Sequence, residues 1–210
     1  MIERISINEH SSIRIDCGEI VYFDPFRIKK DSHDADIIFV THSHFDHYSL
    51  EDINKIIKKN TTLVFPFSMQ EETKNLVKEY DVIYLKPNEE KSIKGMKVEA
   101  IHSYNVNKPM HPKSNGWLGY IIVINNTRIY VCGDSDLNED VLKVKCDIAL
   151  VPVGGTYTMN AEEAAKLINK INPEIAIPTH YGTLVGEQNH GDEFESKVNK
   201  NIKVIKKIEF

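Results

Sequence analysis

The chain has 210 residues, 41% apolar and 27% charged, which gives enough length for a sizeable core and excludes a disordered or fibrous protein. Lys and Arg number 26 against 31 Asp and Glu, so the formal charge is -5 and the pI near 6.0; the general cationic field that holds a nucleic-acid backbone is absent, and nucleic acid is not expected as a partner. Cys17, Cys132 and Cys146 are odd in number and widely spaced, without any CxxC, which argues against a disulfide framework or a thiolate metal cluster. No apolar run approaches the roughly 20 residues that cross a bilayer, and the opening Met-Ile-Glu-Arg-Ile-Ser-Ile lacks a signal-peptide pattern, so no membrane partner and a cytoplasmic location are expected.

No repeat, low-complexity tract or Gly/Ser-rich linker divides the chain, so one domain over 1-210 is expected. Taken in order, alternation at Ile13 and Ile15 and then over 20–23 predicts two strands, and the apolar run 37–40 predicts a buried strand ending at Thr41. Ser49, with Asp52 at the third helical position, caps a predicted helix with Ile53, Ile56 and Ile57 on one face. Ser68 with Glu71 predicts a capping box for the next helix. Short strands are predicted at 63–65, 82–85 and 98–101. In the second half, strands 120–124 and 128–132 flank Asn125-Asn126, a two-residue hairpin signal whose residues tolerate positive φ. A strand at 148–151 follows, Asn160 with Glu163 caps a helix to about Asn169, Pro173 introduces a strand over 174–178, and the chain closes on strand-like residues 203–208. Short strands with helices in both halves predict two packed sheets covered by helices.

Nine histidines are the informative part of the composition. Directly after the predicted strand 37–40 comes Thr41-His42-Ser43-His44-Phe45-Asp46-His47, four ligand-type side chains within six residues on a strand-end loop. A regular strand would put His42, His44 and Asp46 on one face and His47 on the other, so the extra His suggests a second cation. His102, Asp134 and His180 each sit just past the carboxyl end of another predicted strand, where seven side chains could meet around two metals with Asp134 as the bridge. Imidazole and carboxylate without thiolate suit zinc, iron, manganese or nickel.

The segment His42-Ser43-His44-Phe45-Asp46-His47 fits the HxHxDH signature of the metallo-β-lactamase superfamily, which the chain resembles. Asp24-Pro25-Phe26, Gly116-Trp117-Leu118-Gly119-Tyr120 and residues 129–136, 158–164 and 177–183 are similar to a cytoplasmic, prokaryotic-type branch that includes ascorbate-6-phosphate lactonase and many metal-dependent hydrolases. The resemblance covers nearly the whole chain; it is specific for fold and metal site and weak for substrate. It implies an α/β fold, a four-layer αββα sandwich of two mixed β-sheets flanked by helices. It also implies two divalent metal ions, zinc foremost, with His42, His44 and His102 on the first, Asp46, His47 and His180 on the second, and Asp134 between them. A hydroxide held between two such cations would cleave an ester, lactone, phosphodiester or amide of a small metabolite.

Asp46 carries the catalytic role in this reading, as a ligand that also orients the attacking water. His111, Lys113, Asn105 and Tyr181 border the ligand segments and are expected to bind substrate; Lys113 with Lys108 would suit an anionic group. Some relatives lack a His at the position of His102 and carry His-Pro-Lys later, here His111-Pro112-Lys113. His102 is preferred as the ligand because it directly follows a strand, while His111 lies in a polar loop. Where the branch often has Gly-His-Ser, this chain has Glu9-His10-Ser11, and His10 is either near the site or a structural histidine. Asp24, Ser135 or Asp136 could accept the second N–H of a ligating imidazole. The expected partner is a small-molecule substrate, and a homo-oligomer is compatible with the sequence. Two alternatives stand beside the hydrolase: a non-catalytic, metal-stabilised binding protein, and the superfamily's di-iron redox branch, whose signature replaces the second His by Glu where this chain keeps His44.

Overall fold

In a computed structural model describing residues 1–210, the strands sort into two mixed sheets, one in each of two units, Met1–Lys86 and Pro87–Phe210. Each unit completes a sheet from its own strands.

The first unit carries β1 (Ile5–Ile7), β2 (Ile13–Asp16), β3 (Ile20–Phe23), β4 (Ala35–Phe39), β5 (Ile57–Pro66) and β6 (Asp81–Leu85), hydrogen-bonded in that order. β1, β2 and β3 pair antiparallel, and β3 to β6 run parallel. Parallel neighbours need a crossover, which α1 (Leu50–Ile56) and the one-turn α2 (Gln70–Thr73) help to supply. Ser49 accepts from the Asp52 N–H as predicted, and Ile53 and Ile56 bury fully with Ile38, Val40, Leu63 and Phe65, each such side chain contributing about 1.5–3 kcal/mol. Ile57, expected on the helix face, instead turns extended and opens β5. The Ser68–Glu71 capping box does not form: Phe67–Met69 is a 3-10 turn, α2 begins without a side-chain cap, and Glu71 pairs with Lys74.

The second unit holds β7 (Glu90–Ile93), β8 (Met96–His102), β9 (Leu118–Ile124), β10 (Thr127–Val131), β11 (Ile148–Pro152), β12 (Ile175–Thr179) and the two-residue β13 (Lys203–Val204). β7 to β10 form an antiparallel meander, and β10 to β13 run parallel. Asn125 and Asn126, with φ of 49° and 64°, make the predicted hairpin turn. The helix α3 (Ala161–Ile171) opens with the predicted capping box of Asn160 and Glu163 and buries Ala161, Ala164, Ala165, Leu167 and Ile168. β12 leads through α4 (His190–Lys197), which periodicity did not reveal, to β13, shorter than the predicted 203–208. No helix is long and apolar enough to cross a membrane. In both sheets the parallel strands end toward the loops that carry the histidines, the place where open α/β sheets bind ligands.

Candidate metal centre

In the first unit, the register Phe23↔Phe39 of parallel β3 and β4 sets Asp24 beside the residues that follow β4. The fully buried Asp24 carboxylate accepts from the Thr41 N–H (2.7 Å) and hydroxyl (2.7 Å), and from Nδ1 of His47 (2.7 Å). With its proton on Asp24, Thr41 Oγ1 can accept from Nδ1 of His42 at 3.0 Å. These partners hold both rings with the proton on Nδ1, so Nε2 of His42 and of His47 presents a lone pair. Those Nε2 atoms meet other candidate ligands: His42 faces Nδ1 of His44 at 3.2 Å, and His47 faces Oδ2 of Asp46 at 3.4 Å. Nε2 of His10, a residue with no exposure, lies 3.3 Å from the same Asp46 oxygen. Burial pushes the Asp24 carboxyl above its ordinary range, while His47 and the Thr41 donors pull it down.

In the second unit, Asp134 follows β10 and His180 follows β12, and Oδ2 of Asp134 lies 3.1 Å from Nε2 of His180. The same oxygen is 3.3 Å from Nε2 of His111. Nδ1 of His111 donates to Oδ1 of Asn105 (2.8 Å), whose amide is oriented by donating from Nδ2 to the Tyr157 carbonyl (2.9 Å). His111 therefore also presents a lone pair at Nε2. The Ser103 hydroxyl bridges the carbonyls of Cys132 and Asp134 at 2.9 Å each, tying the end of β8 to the loop that carries the carboxylate.

This donor set fits a divalent cation. A lone pair on Nε2 cannot hydrogen-bond to a carboxylate oxygen, and two electron-pair donors 3.3–3.4 Å apart repel unless a proton or a cation lies between them; a cation satisfies such a pair in either unit. His10, Asp24 and His180 all hold left-handed backbone, with φ of 57°, 45° and 58°, conformations that non-glycine residues adopt at a cost of about 1–3 kcal/mol and that cluster at functional sites. The thiols stand outside this chemistry: all three cysteines are free, and burial pushes Cys132 up to about 12 although it precedes Asp134 by two residues.

His111, the alternative to His102 as an imidazole ligand, stands beside Asp134. His102 is half-buried, its Nε2 bonded to the Lys113 carbonyl (2.9 Å), and burial lowers its pKa. The loop that carries His111 is clasped, the Asn105 N–H donating to the His111 carbonyl at 2.7 Å. Three residues expected at the substrate are otherwise engaged. Asn105 orients His111. Lys113 reaches Tyr104 Oη (3.2 Å), Glu139 (3.1 Å) and Asp140 (3.4 Å). Tyr181, 1% exposed, packs its ring on Phe210 at 5.5 Å and its hydroxyl against Gly191 of α4. Ser135 and Asp136 belong to a network around Tyr104, Asn138 and Lys108 rather than orienting an imidazole. His33 bonds the Ile57 carbonyl through Nδ1 (2.9 Å), and His190 begins α4.

A β-lactamase superfamily domain is recognised over residues 4–180, and the chain belongs to that superfamily. Within it, the UPF0173 metal-dependent hydrolase of Nanoarchaeum equitans is 30% identical over 86% of this chain and 84% of its own length, and that of Thermoplasma acidophilum 32% over 78% and 76%. A crystal structure from Parabacteroides distasonis, 26% identical, superposes with a TM-score of 0.81 over 97% of this chain and 91% of its own. The metallo hydrolase Igni18 of Ignicoccus hospitalis, at 20% identity and a TM-score of 0.76 over 98% and 95%, shares the fold.

Proposed function

We propose that the chain is a cytoplasmic, metal-dependent hydrolase that holds two divalent cations, zinc foremost, and that it cleaves an ester, lactone, phosphodiester or amide bond of a small metabolite. The observation that carries this reading is the set of Nε2 lone pairs aimed at carboxylate oxygens, on His47 toward Asp46 and on His111 toward Asp134. The names of the relatives support it. Bound cations supply a Lewis acid for the scissile group and acidify a water to serve as nucleophile near neutral pH.

The chain's own residues do the rest. His42, His44 and His111 would hold one cation, Asp46, His47 and His180, with His10 alongside, would hold the other, and Asp134 would serve both. Asp24 and Thr41 hold the protons of His47 and His42 on Nδ1, and Asn105 does the same for His111. Asp46 accepts the hydrogen bond of the attacking water and orients its lone pair.

Elemental analysis followed by assays on bis-p-nitrophenyl phosphate, lactones and thioesters tests the proposal. Two equivalents of metal and turnover of at least one substrate are expected; Asp134→Ala loses at least one equivalent, while Asp46→Asn keeps more metal than activity. His111→Ala should lose metal and His102→Ala should keep it. Two bound metals with no turnover of any substrate, and unchanged folding after chelation, would overturn the hydrolase reading.

A further inference from the structure

Ser6 of β1, Arg14 of β2 and Tyr22 of β3 are paired in register across the antiparallel strands, so their side chains stand on one face of the first unit's sheet. The segment from Arg27 to Asp34 is pinned beside them. Asp52 accepts from the Arg27 N–H (2.9 Å) and the Ile28 N–H (2.8 Å), and the Ser32 N–H donates to the Lys55 carbonyl (2.9 Å). A pocket of about 430 Å³ opens between the row and the segment, with Ser12, Arg14, Tyr22, Lys29 and Lys30 in its walls, and none of the residues lining it is a candidate metal ligand. Its volume lies within the range of roughly 300–1,000 Å³ usual for small-molecule sites.

Three cations line this pocket against a single acid, in a chain whose net charge is -5. That acid, Asp34, is engaged on both oxygens: it accepts from Nη2 of Arg14 (3.1 Å), from the Tyr22 hydroxyl (3.0 Å) and from the Ser32 hydroxyl (2.6 Å). Lys29 and Lys30 are exposed and pair with no acid. Nη1 of Arg14 is 3.7 Å from Oδ2 of Asp16, longer than a hydrogen bond. Ser12, only 1% exposed, accepts from the Phe26 N–H at 3.1 Å, and its own hydroxyl proton has no acceptor in the protein. A buried donor left over in this way costs free energy until a ligand accepts from it.

From this we infer that the pocket is a second ligand site, which takes the phosphoryl group of a small organic phosphate monoester on Lys29, Lys30, Arg14 and Ser12, with the organic part against Ile7, Ile28 and Tyr22. Two ammonium groups and an unspent hydroxyl offer more positive charge and more donors than one carboxylate can use, and they match a dianion with three acceptor oxygens. The pinned ends of the segment keep Lys29 and Lys30 near the row before any ligand arrives, which lowers the ordering cost of binding. The inference does not rest on the hydrolase reading, because no candidate metal ligand belongs to the pocket.

Calorimetric titration of the zinc-loaded protein with phenyl phosphate, inorganic phosphate and benzoate tests it. Phenyl phosphate should bind about fivefold or more tighter than inorganic phosphate, which has no organic part, and than benzoate, which carries one charge. The double variant Lys29→Gln with Lys30→Gln should weaken phenyl phosphate about tenfold or more, and Ser12→Ala about threefold. Lys59→Gln with Lys78→Gln removes the same charge from exposed positions of the same unit outside the pocket, and should change the affinity by less than about twofold. Zinc itself binds phosphate oxygens, so protein treated with a chelator is titrated in parallel, and phenyl phosphate binding that depends on Lys29 and Lys30 should persist there. Binding that vanishes with the zinc and ignores Lys29 and Lys30 puts the phosphate on the metals and overturns the second site. Equal weakening in the two double variants, or no binding of phenyl phosphate at all, overturns it as well, and benzoate held as tightly as phenyl phosphate overturns the phosphoryl assignment.

Discussion

The Asp24 carboxylate makes its hydrogen bonds to neighbours that matter to the ligands: the Thr41 backbone and hydroxyl, and the ring of His47. A buried carboxylate costs several kcal/mol unless it is so engaged, and its return here is a fixed tautomer on His47 and, through Thr41, on His42. Asp24→Asn keeps the shape but sets an amide N–H₂ against donors that need an acceptor, Thr41 or His47. Metal affinity should fall by about 10–100-fold, read by competition with a chromogenic chelator. An affinity within twofold of wild type would show that ring orientation is held by something else. His111, named from the sequence as a site residue, shows why such a residue's role is hard to read there. Its place is fixed by a clasp to Asn105 six positions earlier, and neither residue lies on a periodic element.

Strand ends are the element-scale determinant of the candidate site. Gly154, after β11, lies so close to the chain after β12 that a Cβ there would come within 2.3 Å of the His180 carbonyl and 3.3 Å of its Nδ1. Because the obstacle is backbone, Gly154→Ala must displace the chain at His180, at about 1–3 kcal/mol, and should lower both the thermal midpoint of the metal-free protein and the metal bound at saturation. An unchanged midpoint would mean that the two loops can separate at no cost.

Arg128 of β10 reaches across β9 to Glu99 of β8 with two bonds of 2.8 Å each, and with Lys97 it lowers the Glu99 carboxyl to about 2 from its ordinary 4.5. A depressed carboxylate stabilises the fold fully above its unfolded pKa and loses that contribution as pH falls through the folded one, so the window lies between about pH 4.5 and 2. Because the pair is partly solvated, Glu99→Gln should cost only about 1 kcal/mol at pH 7, shrinking to nothing near pH 2, by urea midpoints along a pH series. A gap that does not vary with pH would assign the effect to packing.

Elements with a local code were legible. Apolar runs marked the buried parallel strands, Asn125-Asn126 the hairpin, and Asn160 with Glu163 the start of α3. Elements held by partners were not. β7 shows one buried residue in four, α4 buries only Gly191 and Phe194, and neither pattern differs from a loop. Ser68–Glu71 misled because a capping box only matters with a helix behind it, and α2 is a single turn.

At the scale of the whole molecule, each unit has its own sheet, and ligand-type residues stand in both: His42, His44, Asp46 and His47 before Lys86, His111, Asp134 and His180 after it. Metal binding to these residues should register in global stability. A ligand that binds only the folded state adds RT ln(1 + [L]/Kd), about 2.7 kcal/mol at one hundred times Kd. For a chain of this size each kcal/mol shifts the midpoint by about 2–4 °C, so saturating zinc should raise it by roughly 5–11 °C over chelated protein. The decisive comparison is between Asp134→Ala in the second unit and His47→Ala in the first, each followed by calorimetry with and without zinc. The proposed ligand set predicts that either substitution alone removes much of the shift. Two transitions, with each substitution affecting only its own unit's response to zinc, would show that the units bind metal independently.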